Sequence, residues 1–545
     1  MVRKPEEILN ELLRDRGIES AEDISEFLSD RPKKTYDPFL LLNMEAGVDL
    51  LLSEINKGTR ICIYGDYDAD GVTSICILSH IIGMLTDDLT YYIPSRFEEG
   101  YGLNKNAVKK LHDDGVGLMI TVDCGSVSYE EVEYAKELGM RVIVTDHHSI
   151  DSIKADTILI NPKQKECTYP FKELAGCGVA FKMAQAIQQR AGLPKSVIND
   201  VLDLTAVGTV GDVVSLTDEN RTIVKYGLNK VNAGARQSLK KLKEAISLKW
   251  ITSENIAFGI APHINAAGRM ASARDAVELF MADNEMIMDK KVEDLVFYNS
   301  QRKKKQEEAY NKGIELLTGN EKFVVLHMEN IHEGIGGIVA GKIKETTGRP
   351  TIIVTPSGEG YLKGTGRSID KIDIYQVLKN HEELFERFGG HRSACGFLMK
   401  KDNLKALREK LDHEMDRLLE EDPNVFKTES LWDMELMPEE ISVELACELM
   451  KMEPVGQGNP RPVFVLRNIR PAQVRFMGSD STHARFNAES EDGKRAECVL
   501  FQKAQEKREL LCGGDLIDII GTIELQKWNG RERVQFIVEE IKKCK

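Results

Sequence analysis

One segment, Ile61–Ser74, constrains this chain more than any other, because it joins a strand-like apolar run to a row of carboxylates. Asp66, Asp68 and Asp70 occupy alternate positions at the end of that run, just before Gly71. These carboxylates cannot all be buried unpaired in a core, because each buried charge costs several kcal/mol. A solvated acidic turn is one interpretation, since turns are rich in Asp and Gly. The other is a set of ligands for hard divalent cations at the carboxyl end of a strand, where α/β proteins place their active sites.

Strand-like and helix-like segments alternate from about residue 60 to residue 212. This alternation predicts a parallel sheet with crossover helices, one of which is Ser128–Leu138. The predicted strands are Ile61–Tyr64, Leu89–Ile93, Leu118–Val122, Val142–Thr145 and Ile158–Ile160.

Acidic residues also follow three further apolar runs. Asp123 follows Leu118–Val122, Asp146-His147-His148 follows Val142–Thr145, and Asp212 follows Val207–Gly211 as a fourth acidic strand end. Because the carboxyl ends of parallel strands share one edge of a sheet, we expect these side chains to converge. Asp212 alone is explained equally well as a helix or turn cap.

Several carboxylates with one or two imidazoles match Mg²⁺ or Mn²⁺ better than other metals. Zinc is disfavoured because the sequence has neither a Cys-x-x-Cys nor a His-x-x-x-His pair. A carboxylate shared by two such ions suits hydrolysis of a phosphoester, because the ions clamp the attacking and leaving oxygens.

Composition limits the class of protein. The 545 residues exceed what one core can organise, and we expect three or four domains. No apolar run reaches the length of a membrane span, and the N-terminus lacks the apolar core of a signal peptide. Ten scattered cysteines indicate reduced thiols and a cytoplasmic location. The net charge of −15 argues against a wholly basic nucleic-acid coat, but not against a nucleic-acid enzyme with a local basic groove.

The sequence predicts an α/β protein with a C-terminal β-barrel. The expected parts are a helical flank of the first domain (1–55), a parallel-sheet α/β domain (56–299), a solvated connecting helix (300–318), a smaller α/β domain (319–422) and an OB-fold-like domain (423–545). The barrel strands are expected at Val463–Leu466, Gln473–Met477, Ala484–Asn487, Glu497–Phe501, Asp515–Glu524 and Arg533–Glu540.

Four motifs, in this order, resemble the DHH phosphoesterase family: Asp66-Tyr-Asp-Ala-Asp-Gly71, Val122-Asp-Cys-Gly125, Asp146-His-His148 and Gly211-Asp-Val213. The similarity covers nearly the whole chain and is greatest to the single-stranded-DNA exonucleases of that family. Further motifs of this resemblance are Arg96 with Glu99–Leu103, Asn265–Arg269, Gly337–Ala340, Gly364–Ser368, Gly389–His391, Pro454–Pro460 and Trp528–Gly530.

The resemblance implies a site with two divalent cations, Mn²⁺ or Mg²⁺. Their ligands would be Asp68, Asp70, Asp123, His147 and Asp212, and Asp66 would complete the second site or orient a ligand. Asp146 and His148 would orient the ligands or face the substrate, so that the catalytic group is Asp70, Asp123, Asp146, His147 and His148. A structural role for His148 is an equally good interpretation.

The resemblance also implies a DHH-associated domain facing the metals across a cleft. The phosphate-binding residues would be Arg96, Arg269, Arg367, Ser368, Gly389, Gly390 and His391. The Gly-Gly-His sequence by itself suits a backbone nest for an anion. In the barrel, Trp528 is the candidate for base stacking, whereas Phe476 and Phe486 are better explained as core residues. Two positions depart from the family pattern, His263 and Lys342, where arginine is usual.

The function expected from this resemblance is 5′→3′ hydrolysis of single-stranded DNA to 5′-mononucleotides in DNA repair and recombination. The expected partners are single-stranded DNA, a helicase and a single-strand-binding protein, and the chain is expected to be a monomer that does not bind membranes. One alternative keeps the metals but acts on short oligoribonucleotides, cyclic dinucleotides or pyrophosphate; the last ~120 residues argue against it, because such relatives lack a β-barrel. Another is a non-catalytic single-strand-binding replication factor, which loss of metal ligands would indicate.

Overall fold

The structure is a computed structural model and describes residues 2–97, 99–100, 102–150, 153–427, 431–478, 480–528 and 531–544, with Lys527 and Trp528 described by their backbone alone. Three sheets follow one another along the chain. The first is fully parallel, the second is mixed, and the third closes into a barrel.

The first sheet has the strand order β2-β1-β3-β4-β5, with every pair parallel. Its central strands are buried apolar runs, as expected for a parallel sheet covered on both faces. This confirms the predicted parallel-sheet fold. The strands are β1 (Ile61–Gly65), β2 (Leu89–Tyr92), β3 (Leu118–Val122), β4 (Arg141–Thr145) and β5 (Ile158–Ile160).

Helices cover both faces of this sheet, and a long helix leads away from it. The helices are α1 (Pro5–Asp15), α2 (Ala21–Leu28), α3 (Met44–Asn56), α4 (Ala69–Ile82), α5 (Lys105–Asp113), α6 (Tyr129–Glu137), α7 (Gly176–Ala191), α8 (Ser196–Asn199), α9 (Leu202–Gly211), α10 (Asp218–Ala233), α11 (Gln237–Ala245), α12 (Ser253–Asn255), α13 (Ala261–Met270), α14 (Arg274–Met281) and α15 (Glu285–Glu315). Helices α3, α4, α7 and α9 share one apolar core with the sheet, and α5 and α6 share the other. A π-helical turn, Ile256–Ile260, precedes α13.

The predicted strand Val207–Gly211 is wrong, because these residues form the end of helix α9. Residues Asp203–Val210 of this helix are all buried, and Gly208 lies against Thr73 and Cys177. A helix buried all round has no polar face, so its short apolar run cannot be told from a buried strand by periodicity.

Residues 1–55 do not form one flank of the first domain. Helix α3 packs on the first sheet, where Gly47 lies against Ile160. Helix α1 instead packs on the C-terminal part of the chain: Ile8 and Leu12 join the barrel core, and Leu9 joins a cluster with Met452. The predicted apolar face of α1 is present, but its partner lies more than 400 residues away in the sequence, beyond the reach of any local pattern.

The connecting helix is longer than the sequence predicted. It is α15, which runs without interruption from Glu285 to Glu315, whereas the predicted boundary at residue 300 lies inside it. The second sheet has the order β6-β7-β8-β10-β9, and only β6 and β7 are parallel. Its elements are β6 (Val324–His327), α16 (Gly336–Thr347), β7 (Thr351–Pro356), β8 (Tyr361–Arg367), α17 (Ile374–Lys379), β9 (Phe385–His391), β10 (Ala394–Lys400) and α18 (Leu404–Glu421).

The third sheet is a closed barrel of five strands preceded by a short one. Closure follows because one long strand, β12, pairs with β13 through its second half and with β15 through its first. The predicted strands Val463–Leu466 and Gln473–Met477 are the two ends of this one strand, which contains two register shifts. The elements are β11 (Met434–Glu435), α19 (Val443–Met450), β12 (Phe464–Met477), β13 (His483–Glu489), β14 (Arg495–Leu500), α20 (Arg508–Cys512), β15 (Ile517–Trp528) and β16 (Arg531–Lys543).

Short 3-10 helices join the larger elements at Pro38–Leu40, Glu333–Ile335, Glu382–Leu384, Lys401–Asn403 and Pro438–Glu440. Among the described residues, no helix combines the length and the apolar character needed to cross a bilayer.

Candidate metal centre

Six side chains converge at the carboxyl edge of the first sheet. We call them the acidic cluster: Asp66, Asp68, Asp70, Asp123, His147 and Asp212. Five of them follow strands β1, β3 and β4 directly or begin the next helix, as the parallel topology requires. Asp212 arrives differently, as the C-cap of α9.

Two helix N-termini hold the carboxylates of Asp68 and Asp70. Asp68 is the N-cap of α4, and its Oδ1 accepts hydrogen bonds from the backbone N–H groups of Asp70 (2.9 Å) and Gly71 (3.1 Å). The Asp70 carboxylate accepts from the N–H groups of Gly176 (2.6 Å) and Cys177 (2.7 Å), which open α7. Backbone dipoles at these N-termini favour negative charge, and the hydrogen bonds fix the orientation of both carboxylates before any cation binds.

Asp123 is held in a strained conformation. Its φ of 59° lies in the left-handed region, which non-glycine residues rarely adopt outside functional sites. A Cβ at Gly176 would lie only 2.6 Å from the Asp123 Cβ, so the N-terminus of α7 packs directly against this carboxylate. The requirement for glycine at position 176 therefore follows from the close approach of α7.

His147 lies among the carboxylates. Its Nε2 is 3.2 Å from Asp123 Oδ1, 3.5 Å from Asp212 Oδ2 and 3.8 Å from Asp70 Oδ2. Burial lowers the pKa of His147 to about 4, despite the opposing charge of Asp70. The imidazole is therefore neutral near pH 7, which is the form that coordinates a metal.

Asp146 and His148 form a pair beside the cluster. One Asp146 oxygen lies 2.8 Å from His148 Nδ1 and accepts the N–H groups of His147 and His148, and the other accepts the N–H of Ser126 at 2.9 Å. Burial would raise the pKa of Asp146, but the hydrogen bond and charge of His148 outweigh it and hold that pKa below its usual range. Asp146 is thus occupied in orienting the two histidines.

The remaining carboxylates repel one another. Burial, followed by the charges of neighbouring aspartates, raises the pKa of Asp66 and Asp123 well above the usual value and that of Asp212 to about 9. Burial likewise raises the pKa of Asp70, although His147 opposes it. Such mutual elevation is the signature of carboxylates packed for a positive charge that the chain itself does not supply.

The residues of the cluster fit divalent cations. Three groups each bring possible ligand atoms within 4.8 Å of one another: Asp123 with His147 and His148, Asp70 with His147 and Asp212, and Asp66 with Asp68 and Asp123. Within the described part of the chain, Asp66 Oδ1, Asp123 Oδ1 and both ring nitrogens of His147 are buried without a hydrogen-bond partner. Orphaned buried acceptors of this kind are costly unless a ligand satisfies them.

Arginines approach the cluster from the other side. Arg96 stacks on the ring of Tyr67, 4.7 Å from its centroid, and its charge acts on Asp66. Burial, then the charge of Arg96, lowers the pKa of Arg269 to about 10. Burial also lowers the pKa of Arg367, which Arg96 lowers further. No ion pair with a carboxylate is formed by these three guanidinium groups among the described residues, and such a group of arginines suits a polyanion.

The second sheet places Arg367 and His391 in one row. Ala394 on β10 pairs with Arg367 on β8 and with His391 on β9, so both side chains flank the same residue on one face. Next to them, Gly390 has a φ of 145°, and a Cβ there would collide with the backbone of β10. Gly389, Gly390 and His391 are exposed, as the predicted nest requires. Ser368 instead is buried, and its hydroxyl donates to the Ile372 carbonyl at 2.7 Å within its own loop.

Three family models match the three parts of the chain that contain the three sheets. Residues 60–209 match the DHH family N-terminal domain, residues 320–417 the DHHA1 domain and residues 432–540 the RecJ OB domain. The chain is 34% identical to the single-stranded-DNA-specific exonuclease RecJ of Bacillus subtilis over 97% of its own length and 67% of that protein. It is 33% identical to the enzyme of the same name from Escherichia coli over 86% of its own length and 85% of that protein.

The chain belongs to the RecJ family.

Solved RecJ structures match all or most of this fold. The crystal structure of Thermus thermophilus RecJ in complex with Mn²⁺ matches with a TM-score of 0.82 and 27% identity, over 100% of this chain and 79% of that one. A structure of exonuclease RecJ bound to manganese matches with a TM-score of 0.62 and 35% identity, over 69% of this chain and 95% of that one.

Arg302 is a candidate site residue that sequence reasoning missed. The stretch around it reads as a solvated helix, yet Arg302 is half-buried, and burial lowers its pKa. Its Nε donates to Asn299 Oδ1 at 3.0 Å, its Nη1 donates to Gln306 Oε1 at 3.0 Å, and its charge acts on Arg269. Asn299 and Gln306 lie three residues before and four residues after Arg302, so their side-chain oxygens share its helix face and can accept its hydrogen bonds. This spacing is the sequence signal that could have identified Arg302.

The two departures from the family pattern serve other contacts. His263 lies 2.6 Å from the Gly259 carbonyl through Nδ1 and 2.9 Å from Asn299 Nδ2 through Nε2, so it supports the residue that holds Arg302. Lys342 pairs with Glu307 at 2.6 Å on the surface.

The aromatic candidates of the barrel have different positions. Phe486 is buried in the barrel core, and Arg508 lies over the Phe476 ring, so neither ring is an open stacking surface. The side chain of Trp528 lies outside the described residues.

Proposed function

We propose that this chain is a metal-dependent exonuclease specific for single-stranded DNA, which acts 5′→3′ and releases 5′-mononucleotides during DNA repair and recombination. The observation that carries the proposal is the acidic cluster with its orphaned, mutually repelling ligand atoms, beside which lie the half-buried Arg96 and Arg269, whose charges interact with Asp66 and Asp68. Cation ligands opposite phosphate ligands are what phosphodiester hydrolysis requires. The RecJ relatives are named for this activity, and the alternative functions are not favoured.

The cluster would hold two cations, Mn²⁺ or Mg²⁺, through Asp68, Asp70, Asp123, His147 and Asp212, with Asp66 as a further ligand or an orienting group. The bound ions would supply a nucleophilic hydroxide and Lewis-acid stabilisation of the phosphate. Asp123 would be able to serve both ions, because a carboxylate can ligate two cations and Asp123 belongs to two of the candidate ligand groups, whereas the imidazole of His147 would ligate one ion.

The other residues of the site act on the substrate. Asp146 fixes the Nδ1 side of the His148 ring, and their hydrogen bond and charge raise the pKa of His148 against the effect of burial. His148, oriented by this hydrogen bond, can give a proton to the departing 3′ oxygen. Arg96, Arg269 and Arg367, with the nest of Gly389, Gly390 and His391, bind the phosphates on either side of the cleaved bond.

Selectivity for a single strand follows from the position of the site. The second α/β domain approaches the first closely enough that Arg269 Nη1, on α13, donates at 3.0 Å to the carbonyl of Gly334, in the 3-10 helix before α16. A flexible strand can pass between the two, whereas a stiff duplex is too wide, and no base needs to be read. Backbone contacts by the barrel would add affinity without sequence preference.

The setting of the enzyme is part of the same proposal. All ten cysteines are unpaired and most are buried, which suits a reducing cytoplasm. We place the protein there as a monomer that receives its substrate from a helicase and a single-strand-binding protein.

A panel of substrates tests the proposal. Linear single-stranded DNA, circular single-stranded DNA, blunt duplex and a dinucleotide are each incubated with Mn²⁺, Mg²⁺ or EDTA. We expect mononucleotides from the linear single strand alone, and only with a metal. Cleavage of the circle would mean endonuclease activity, and preferred turnover of the dinucleotide would favour the oligonucleotide-hydrolase alternative; either result would overturn the proposal.

A further inference from the structure

The motif Pro454–Pro460 lies in no part of the acidic cluster, yet side-chain and backbone hydrogen bonds hold it on both sides. We call residues 454–460 the docking loop. Within it, Asn459 is buried, and its Nδ2 donates to the carbonyls of Met452 and Pro454 at 2.8 Å each. Its Oδ1 accepts from Arg16 Nη1 at 2.9 Å. The amide thus satisfies the loop backbone and gives the loop one defined shape.

The docking loop rests on the segment that connects α9 to α10. The Leu216 N–H donates to the Gln457 carbonyl at 2.7 Å. Gly458 has a φ of 73°, and a Cβ at this position would overlap the hydroxyl of Ser215. A Cβ at Gly456 would lie 2.8 Å from Leu216 Cδ1. Glycine is required at both positions because the backbone of the docking loop lies directly against side chains of this segment.

That segment begins at Asp212, which caps the C-terminus of α9. No other member of the acidic cluster lies at a helix C-terminus. The next residue, Val213, has a φ of 62°, which is unfavourable for a β-branched side chain. A backbone in this region persists only where its surroundings enforce it. Two anchors follow Asp212 on the C-terminal side: Ser215, whose carbonyl accepts from Asn220 Nδ2 at 2.9 Å, and Leu216, which is buried under the docking loop.

Further contacts fix the docking loop to the first domain. The buried guanidinium of Arg221, on α10, donates to the carbonyls of Met452 (3.0 Å) and Glu453 (2.9 Å) and stacks on the ring of Phe27. Ser253 Oγ donates to the Val455 carbonyl at 2.6 Å. The barrel is therefore attached to the same helix that continues from the Asp212 segment.

We infer that the docking loop is a positioning element for the metal centre: by holding Leu216 and Ser215, it fixes the strained turn that presents Asp212. The inference rests on the proposed role of Asp212 as a ligand. On this inference the barrel does more than bind DNA. When the barrel docks on the first domain, the docking loop completes the cation site. The residues of the loop touch neither cation ligands nor substrate and act through the 213–217 segment.

Manganese binding tests this role directly. Gly458→Ala places a methyl group against Ser215, whereas the matched control Gly493→Ala has a similar backbone (φ 75°) with its nearest neighbour at 4.0 Å. Ser253→Ala is a milder second variant that removes one loop contact. Free Mn²⁺ is measured by electron paramagnetic resonance in a titration of each metal-free protein, with the melting temperature measured in parallel. Loss of a contact that orients a ligand lowers metal affinity about 10- to 100-fold.

We expect Gly458→Ala to weaken one of two Mn²⁺ sites at least about 10-fold while the other and the Gly493→Ala control are unchanged, and we expect excess Mn²⁺ to restore kcat. Ser253→Ala should shift the same site in the same direction. If Gly458→Ala folds and binds Mn²⁺ like the parent, or if it fails to fold and Ser253→Ala leaves both sites unchanged, the inference is wrong. Parent protein that binds two Mn²⁺ without exonuclease activity would instead refute the proposed function and leave this test intact.

Discussion

At the level of single residues, Asp123 illustrates the conflict between stability and function. It occupies a strained backbone, is buried beside other carboxylates, and has no hydrogen-bond partner for Oδ1 among the described residues. Each of these features destabilises the metal-free protein. They are explained together if the site is built for cations, because binding to the folded state then stabilises it by mass action.

We predict that Asp123→Asn melts at the same temperature as the parent, or higher, in EDTA, because it removes a repelling charge. The variant should lose most of the stabilisation that Mn²⁺ gives the parent. Its kcat should fall about 100-fold or more, since a metal site contributes several kcal/mol to the transition state. The control is Asp492→Asn, an exposed carboxylate in the barrel. Differential scanning fluorimetry and a nuclease assay check both; a variant that kept parental turnover would contradict the metal role of Asp123.

The carboxylates also predict how stability depends on pH. An unfolded aspartate titrates near pH 4, whereas burial and Asp70 raise the pKa of Asp212 to about 9 in the folded metal-free protein. Between these values the folded state binds more protons than the unfolded state, so the free energy of unfolding falls as pH rises from about 4 to about 9. We expect urea denaturation in EDTA to show this decline and Asp212→Asn to reduce its slope. A stability that rose over this range would contradict the assigned shifts.

At the level of elements, α15 carries a prediction about phosphate binding. Arg302 is half-buried and held by Asn299, whereas Lys304 on the same helix is exposed. Arg302→Gln should weaken binding of single-stranded DNA about 10-fold in the presence of Ca²⁺ and reduce the salt dependence by about one charge. Lys304→Gln should change neither. Fluorescence anisotropy over a salt series gives both quantities, and equal effects of the two variants would show that only net charge matters.

The row formed by β8, β10 and β9 carries a second prediction about phosphate binding. His391→Ala should raise KM for single-stranded DNA without changing the affinity for Mn²⁺, because His391 flanks Arg367 on the second sheet rather than the acidic cluster. His413→Ala, on the exposed surface of α18, is the matched control. Steady-state kinetics and a Mn²⁺ titration separate the two effects. A shift in metal affinity, or kinetics equal to those of the control, would count against the assignment of His391 to phosphate binding.

These elements also show what the sequence could predict. Strands β1, β3 and β4 followed from short β-rich runs, and their shared edge followed from parallel topology, so the convergence of Asp66, Asp123 and His147 could be predicted. Helix α9 could not be recognised, because it has no polar face and its end resembles a strand. Arg302 was missed because its partial burial depends on packing between distant segments rather than on the charge pattern around it.

At the level of the whole molecule, three successive domains combine into one site with its support. The first sheet supplies cation ligands, the second supplies phosphate ligands, and the barrel holds the docking loop. Helix α1 adds to this arrangement by packing Ile8 and Leu12 on the barrel core. Contacts of this kind join residues hundreds of positions apart, so no local sequence pattern reveals them. The family resemblance identified the motif Pro454–Pro460 but did not indicate that it contacts the segment that follows Asp212.

The central claim is that these parts hydrolyse a single strand from its 5′ end with two metals. Its most direct test is a time course on a 5′-phosphorylated oligonucleotide whose terminal nucleotides differ, with Mn²⁺ present and the products identified by mass spectrometry. We predict that the 5′-terminal nucleotide appears first as a 5′-monophosphate, that successively shorter strands follow, and that EDTA or Asp123→Asn abolishes both. First release of the 3′-terminal nucleotide, internal fragments, or products that persist in EDTA would contradict the account.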